Sequence, residues 1–79
     1  MDIKIYTTQG CFYCDQMKEL CNRAKVEYEA IGVSSEELRR LFPNAAGYPH
    51  VIIDGKEIGG LVEAAKFFLK EGLVSANKR

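Results

Sequence analysis

The sequence predicts an α/β fold in which a four-stranded mixed sheet is flanked by three helices, in the chain order βαβαββα. Three observations lead to this prediction: alternating apolar residues near the N-terminus, several segments with apolar residues at helical spacing, and an Asp-Gly pair between two short apolar runs. A chain of 79 residues has room for one such unit, so residues 1–79 are expected to form a single domain.

The first half of the chain is predicted to form a strand, a helix and a second strand. Residues 2–7 alternate between apolar and polar types, as in a half-buried strand. Apolar residues recur at helical spacing from about Cys14, and strand formers return from Val26 to Ala30, or as far as Val33. A strand, a helix and a strand in succession most economically form a right-handed parallel unit, so the first two strands should be neighbours.

A short second helix is predicted to follow. Ser34 and Glu37 stand three residues apart, as in a capping box in which Ser34 is the N-cap. Pro43 should end this helix because proline cannot continue the backbone hydrogen-bond ladder. The residues expected to face inward are Leu38, Leu41 and Phe42.

A hairpin and a third helix complete the predicted fold. The pair Asp54-Gly55 lies between two apolar runs, which is a strong signal for two antiparallel strands. The double glycine at 59–60 breaks the chain, and the last helix is expected over 61–71 with Gly72 as its C-terminal cap. The residues expected on its inner face are Leu61, Ala65, Phe68 and Leu69.

Composition and charge are typical of a folded globular protein. Hydrophobic residues make up 47% of the chain and charged residues 28%. Eleven basic and eleven acidic residues cancel, so the bulk charge indicates neither a nucleic-acid partner nor an anionic membrane surface. The N-terminal residues lack the pattern of a signal peptide, and no apolar run has transmembrane length. We therefore expect a cytoplasmic protein. Residues 75–79, at the end of the chain, are expected to fray.

Two of the three cysteines, Cys11 and Cys14, form a C-x-x-C pair. In a reducing compartment such a pair is more often catalytic or metal-binding than structural. Cys11 is expected just before the first helix, where unpaired amides and the helix dipole favour the thiolate over the thiol. Cys14, one turn later on the buried face, is suited to attack a mixed disulfide formed on Cys11. This arrangement favours thiol–disulfide exchange.

Three segments that follow one another along the chain resemble those of a known family. They are Ile5-Tyr6-Thr7 with Cys11-Phe12-Tyr13-Cys14, then Gly47-Tyr48-Pro49-His50-Val51, then Ile53-Asp54-Gly55 through Ile58-Gly59-Gly60. In order, they resemble the redox motif, the proline loop and the hairpin with double glycine of the glutaredoxin family, in particular of its phage or bacterial members. The resemblance covers nearly the whole chain and implies a thioredoxin-like fold.

The resemblance also implies roles for individual residues. Cys11 would be the nucleophile and Cys14 the resolving thiol, and Pro49 would be a cis-proline facing the sulfurs. A cis bond at this position lets Tyr48 offer its N–H and C=O to an extended peptide such as glutathione, and Tyr13 would flank the site. The backbone amides expected to hold the γ-glutamyl carboxylate of glutathione belong to Leu61, Val62 and Glu63.

Some positions depart from the family pattern. Thr8 stands where many relatives have a lysine that meets the glycine carboxylate of glutathione. Either Arg39 or Arg40 replaces that contact, or both are solvated surface charges. The other departures are Phe12 for proline, Gly47-Tyr48 for Thr-Val, and Val62 for Asp or Ser. We expect these changes to affect glutathione affinity and substrate choice, not the thiol chemistry.

The function implied by the resemblance is that of a glutathione-linked thiol–disulfide oxidoreductase acting in electron transport and cell redox homeostasis. Its substrates would be protein disulfides and glutathione mixed disulfides, with ribonucleotide reductase as one candidate target. Glutathione would be a co-substrate and no cofactor would be bound. The protein is expected to be a monomer without nucleic-acid or membrane partners.

Three alternatives stay open at this point. The three cysteines and His50 could form a Cys₃His zinc set, although Cys21 should lie two helical turns deeper than Cys14. Some glutaredoxins hold an iron–sulfur cluster between two protomers, usually when the motif lacks proline, and Phe12 leaves this role open. A redox docking module is the third alternative, but it would have no need of Cys14.

Several side chains near these motifs are interpreted as structural. Cys21 is expected to be a small buried apolar residue. His50 stands at a strand start, where a histidine is more often a surface residue than a group that contacts substrate or Cys11. Tyr6 is expected to pack on the sheet, and Tyr13 and Tyr48 to form an aromatic rim for the substrate.

Overall fold

The chain folds in the predicted order βαβαββα. The structure, a computed structural model, describes residues 1–74, so the fraying expected for residues 75–79 lies outside the described residues. The elements are β1 (Ile3–Thr7), α1 (Phe12–Ala24), β2 (Glu29–Gly32), α2 (Ser35–Leu41), β3 (His50–Ile53), β4 (Lys56–Gly59) and α3 (Leu61–Lys70). The mixed α/β class is confirmed.

The strands form one four-stranded sheet in the order β2-β1-β3-β4. β1 is parallel to β2 and antiparallel to β3, and β3 is antiparallel to β4. This confirms both the predicted parallel unit and the predicted hairpin. At the hairpin turn Asp54 (φ 51°) and Gly55 (φ 82°) both adopt left-handed backbone angles, as a tight two-residue turn requires.

The second strand begins later than predicted, at Glu29 instead of Val26. Helix α1 ends with Lys25 in a left-handed conformation (φ 59°), and the Val26 N–H donates to the Cys21 carbonyl at 3.1 Å. The chain is therefore still completing the helix end at Val26, and pairing with β1 starts only at Glu29 opposite Lys4. Val26 instead packs against the core as a half-buried side chain.

The main core lies between the sheet and helices α1 and α3. Its buried residues are Ile3, Ile5, Met17, Cys21, Val51, Ile53, Ala64 and Phe68. Helix α3 is rotated relative to the prediction, because Ala64 and Phe68 are its buried residues whereas Leu69 is exposed. Ala64 and Phe68 are four residues apart and share a face, which leaves Leu69 about 100° away around the helix. The predicted inward position of Leu69 is therefore wrong.

A smaller apolar cluster covers the opposite face of the sheet. Phe42, directly after α2, packs edge-on against Tyr6 at 4.9 Å between ring centroids and against the ring of His50 at 4.8 Å. Leu38 of α2 is buried, but Leu41 is exposed, so its predicted inward position is wrong. In a helix of only seven residues, Leu38 and Phe42 define the inner side and Leu41 falls on its flank. The predicted packing of Tyr6 on the sheet is confirmed.

Candidate active site

Cys11 and Cys14 form a disulfide at the start of helix α1, with their Cα atoms 5.2 Å apart. Cys11 is the N-cap of the helix and has extended backbone angles, as predicted from its position before the apolar periodicity. Its side chain is half-buried, whereas the Cys14 side chain is buried. One sulfur of the pair is therefore open to a substrate while the other lies behind it.

The surroundings of Cys11 favour a negatively charged sulfur. The Cys14 N–H donates to Cys11 Sγ at 3.0 Å, so the sulfur takes the place that a Ser or Asp oxygen occupies in an ordinary N-cap. The partial positive charge of the helix N-terminus acts at the same position. In the reduced protein both effects stabilise the thiolate relative to the thiol.

A groove of about 290 Å³ lies beside the disulfide. It is lined by Tyr13, Tyr48, Pro49, Leu61, Val62 and Glu63. These are the six residues that the family resemblance assigned to glutathione binding, and the structure brings all of them together. Their binding of glutathione stays a prediction. Tyr13 stands between the two cysteines in the chain, so the groove includes a residue of the C-x-x-C motif.

The Tyr48–Pro49 peptide bond is cis, as expected. The Tyr48 hydroxyl donates to the Val33 carbonyl at 2.6 Å, and the Val33 N–H donates to the Thr7 carbonyl at 3.0 Å. These two hydrogen bonds join the proline loop to the end of β1, from which the cysteine loop departs. Sequence reasoning missed this link, since nothing in the local pattern pairs Tyr48 with a residue fifteen positions earlier.

The start of helix α3 forms one wall of the groove. The first backbone bond of this helix runs from the Ala64 N–H to the Gly60 carbonyl at 3.0 Å, so the amides of residues 61–63 precede the helical ladder. Glu63 Oε1 accepts the Gly60 N–H at 3.0 Å. Gly59 has φ 122°, and a Cβ there would lie 3.0 Å from Glu63 Cγ. Glycine at this position therefore lets the Glu63 side chain fold back over the helix start.

His50 is buried, with 5% of its surface exposed, so its interpretation as a surface residue is wrong. Its Nε2 lies 2.9 Å from Glu57 Oε1 on the neighbouring strand, and its ring packs on Phe42. All four residues of β3 are buried, because helices or loops cover the strand on both faces. The apolar run Val51-Ile52-Ile53 was the signal that could have indicated this.

Cys21 is fully buried in the main core, which confirms its interpretation as a small apolar residue. Burial raises the pKa of the Cys21 thiol from 9.0 to about 11, because the charged thiolate loses its hydration. Across residues 1–74, no three or more His, Cys, Asp or Glu side chains stand together as metal ligands would. Cys21 packs with core residues such as Met17, not with the disulfide pair.

Comparison with known proteins assigns the family. The model of the Glutaredoxin family matches residues 3–58. The chain belongs to the glutaredoxin family. It is therefore an oxidoreductase of the thiol–disulfide type. The matched range contains both cysteines and the Tyr48–Pro49 bond, whereas the groove residues of α3 follow it.

Individual glutaredoxins agree with this assignment. Glutaredoxin 1 of Rickettsia bellii (strain RML369-C) is 36% identical over 66 residues, which span 73% of this chain and 67% of the relative. The solution structure of reduced Escherichia coli glutaredoxin is similar over 92% of this chain and 98% of that protein, with 26% identity and a TM-score of 0.63. The crystal structure of a buckwheat glutaredoxin–glutathione complex covers 90% of this chain and 70% of that protein, with 23% identity and a TM-score of 0.71, and so supports the fold. Within residues 1–74, none of the helices is long and apolar enough to cross a bilayer.

Proposed function

We propose that this glutaredoxin reduces protein disulfides and glutathione mixed disulfides, with glutathione as the electron donor. The Cys11 thiolate attacks one sulfur of the substrate disulfide and bonds to it, and the other substrate sulfur leaves as a thiolate and takes up a proton. Cys14 then loses its proton and attacks Cys11 Sγ, which closes the Cys11–Cys14 disulfide and releases the second substrate sulfur as a thiol. Two glutathione molecules restore the dithiol and leave as glutathione disulfide.

The different burial of the two sulfurs carries this proposal. Cys11 is half-buried at the helix start, so an incoming disulfide has access to it, whereas Cys14 is shielded and reacts only with Cys11 Sγ once that sulfur carries the substrate. The Cys14 N–H at 3.0 Å from Cys11 Sγ stabilises negative charge on that sulfur both when it attacks and when it is released.

The six-residue groove supports glutathione as the second substrate. The amides of Leu61, Val62 and Glu63 are free of the helical ladder and suit the γ-glutamyl carboxylate. The Tyr48 backbone, next to the cis bond, is suited to pair with the extended glutathione chain, and Tyr13, from the C-x-x-C motif, lines the same groove. The buckwheat relative, which shares the fold, was crystallised as a glutathione complex.

The proposed cycle needs no resident cofactor, because each step moves only electrons and protons between sulfur atoms. We further propose that the protein acts as a monomer in the cytoplasm on disulfide-containing proteins, ribonucleotide reductase being one candidate. The two surface arginines of α2, Arg39 and Arg40, do not line the groove, which favours their interpretation as solvated charges.

The test compares three variants, each with one cysteine replaced, in a glutathione-coupled assay. The assay uses two substrates, a glutathione mixed disulfide and a protein disulfide. Cys11→Ser should abolish turnover of both substrates. Cys14→Ser should retain reduction of the mixed disulfide, which a second glutathione can resolve, but lose at least about 100-fold on the protein disulfide. Cys21→Ala is the matched control and should retain both activities, since its thiol is buried in the core.

Inactivity of the wild-type protein toward both substrates would contradict the proposal. If such a preparation also absorbed visible light, the iron–sulfur alternative would be favoured instead. Unchanged activity of Cys14→Ser toward both substrates would contradict Cys14 as the resolving thiol and leave Cys11 as the sole reactive group.

A further inference from the structure

Three of the exposed large hydrophobic side chains gather beside the reacting disulfide. Phe12 is 67% exposed, Tyr13 59% and Val62 61%. The rings of Phe12 and Tyr13, which separate the two cysteines in the chain, meet edge to face with centroids 5.5 Å apart. Tyr13 and Val62 line the same groove. We call Phe12, Tyr13 and Val62 the apolar rim. Exposed apolar side chains concentrated at one site mark a surface that a partner covers.

Among the described residues, the groove beside the apolar rim carries one formal charge, which is negative. Of the six residues that line it, Glu63 is the one of acidic or basic type, and Thr8, three positions before Cys11, has no charged side chain. One oxygen of Glu63 accepts the Gly60 N–H, which fixes the carboxylate at the groove wall. Within residues 1–74, no lysine or arginine lines this groove. An acidic side chain that contacted the apolar rim instead of the amides at the start of α3 would have the Glu63 carboxylate nearby and, from the part of the chain that the structure describes, no cation lining the groove.

We infer that the apolar rim selects protein disulfides whose reacting cysteine is flanked by apolar residues and disfavours those flanked by acidic residues. The inference rests on the proposed function, because the partner must present its disulfide to Cys11. The substrate class of that site is an extended polypeptide segment with leucine-like side chains next to the reacting cysteine. Such side chains would cover the apolar rim, where the described part of the chain provides no cation to pair with a carboxylate.

Glutathione covers this surface less well than such a segment does. It carries two carboxylates and no large apolar side chain, so it would leave Phe12 and Val62 in water. The apolar rim therefore gives the site a preference for protein substrates with apolar residues next to the reacting cysteine. Val62 is a specificity-determining residue of this site. Val62 is the second residue of α3 and lines the groove together with Tyr13.

The test uses four short peptides of sequence X-Cys-X, capped at both ends, with X as Leu, Ser, Lys or Glu. Each peptide is joined through its cysteine to 4-thiopyridine. The reduced protein attacks the peptide sulfur, the peptide–pyridyl S–S bond breaks, and the thiopyridine leaves with the electron pair and takes up a proton. Its absorbance gives the single-turnover rate. Dividing each rate by that with dithiothreitol removes differences in the intrinsic reactivity of the peptides.

We expect the Leu peptide to react fastest and the Glu peptide slowest, with a ratio of about tenfold. Val62→Lys should lower this ratio at least about threefold by providing a cation, and the change should shrink as salt screens it. The matched control is Leu69→Lys, which places the same charge on an exposed residue of the same helix outside the groove. It should leave the ratio unchanged.

Failure of the inference and failure of the proposed function would give different results. Normalised rates that are equal for all four peptides, or fastest for Glu, would overturn the inference while leaving the proposed function intact. A ratio that shifts equally in Val62→Lys and Leu69→Lys would also overturn it, because the effect would then belong to net charge. Reaction of no peptide, or equal reaction of the Cys11→Ser protein, would instead contradict the proposed function.

Discussion

Cys11 caps the start of helix α1 and Cys21 lies inside the same helix, yet their surroundings give these two cysteines opposite chemistry. Cys11 caps the N-terminus of α1, is half-buried and accepts a hydrogen bond from the Cys14 N–H. Cys21 lies within the helix, is fully buried in the core, and has a pKa raised to about 11. A thiol reacts as its thiolate, so exposure and the stabilisation of negative charge decide which cysteine takes part in exchange.

The largest expected difference between the two cysteines is in alkylation rate. With a pKa of about 11, roughly one Cys21 thiol in ten thousand is ionised at pH 7, and the core shields it further. Treatment of the reduced protein with iodoacetamide should therefore modify Cys11 at least about 1,000-fold faster than Cys21, as measured by mass spectrometry over time. Cys11→Ser identifies the fast site. Comparable alkylation rates at both cysteines in the folded protein would contradict the claim that their surroundings give them different reactivity.

A substitution in the core should separate stability from reactivity. Phe68 is fully buried, and Phe68→Ala should lower the free energy of unfolding by about 3–5 kcal/mol, because it removes apolar contacts and leaves a cavity. Urea unfolding measures this loss. The alkylation rate of Cys11 in the protein that remains folded should change less than about twofold, with the milder Phe68→Leu as the control. A parallel fall in Cys11 reactivity would show that the core sets it.

High pH should destabilise the protein through Cys21. Its folded-state pKa, about 11, lies above the usual value of 9.0, so the native state keeps the proton longer than the unfolded chain does. The resulting stability is fully present below pH 9 and is lost as pH rises toward 11. Between pH 8 and 11 the wild type should lose about 2 kcal/mol more free energy of unfolding than Cys21→Ala. Identical pH dependence in the two proteins would remove Cys21 as the cause.

The smallest expected effect is that of removing the N-cap of α2, which should lower stability without changing the thiol chemistry. Ser34 caps α2 as Cys11 caps α1: its Oγ accepts the Glu37 N–H at 3.2 Å, the amide three residues on. Ser34→Ala should cost about 1 kcal/mol in unfolding free energy, measured in urea, because it leaves that amide without its partner. Reduction of a mixed disulfide should be unchanged. Ser34→Asp, which can still cap the helix, should restore most of the stability.

Much of the fold follows from local signals in the sequence. The hairpin was predictable because Asp54-Gly55 supplies both left-handed turn residues, and the start of α2 because Ser34 is followed by Glu37. Errors arose where packing sets the outcome. The rotation of α3 that buries Ala64 instead of Leu69 depends on how the helix meets β3 and β4, which its own periodicity leaves undetermined within one residue.

The candidate site was predictable in its residues but not in its supporting contacts. The family resemblance named all six groove residues, and the structure brings them together. The Tyr48 hydroxyl bond to Val33 and the His50 bond to Glu57 were not predicted. Both join residues of different elements through side chains, and their partners become neighbours only after the sheet has formed.

The disulfide joins residues three positions apart within a single turn of one helix. The gain in stability from a cross-link grows with the length of chain it encloses, and this one encloses almost none. Neither of its sulfurs belongs to the main core cluster, which links distant parts of the chain. Opening and closing the bond therefore leaves the chain's long-range connections untouched, so the same folded molecule can serve through repeated rounds of oxidation and reduction.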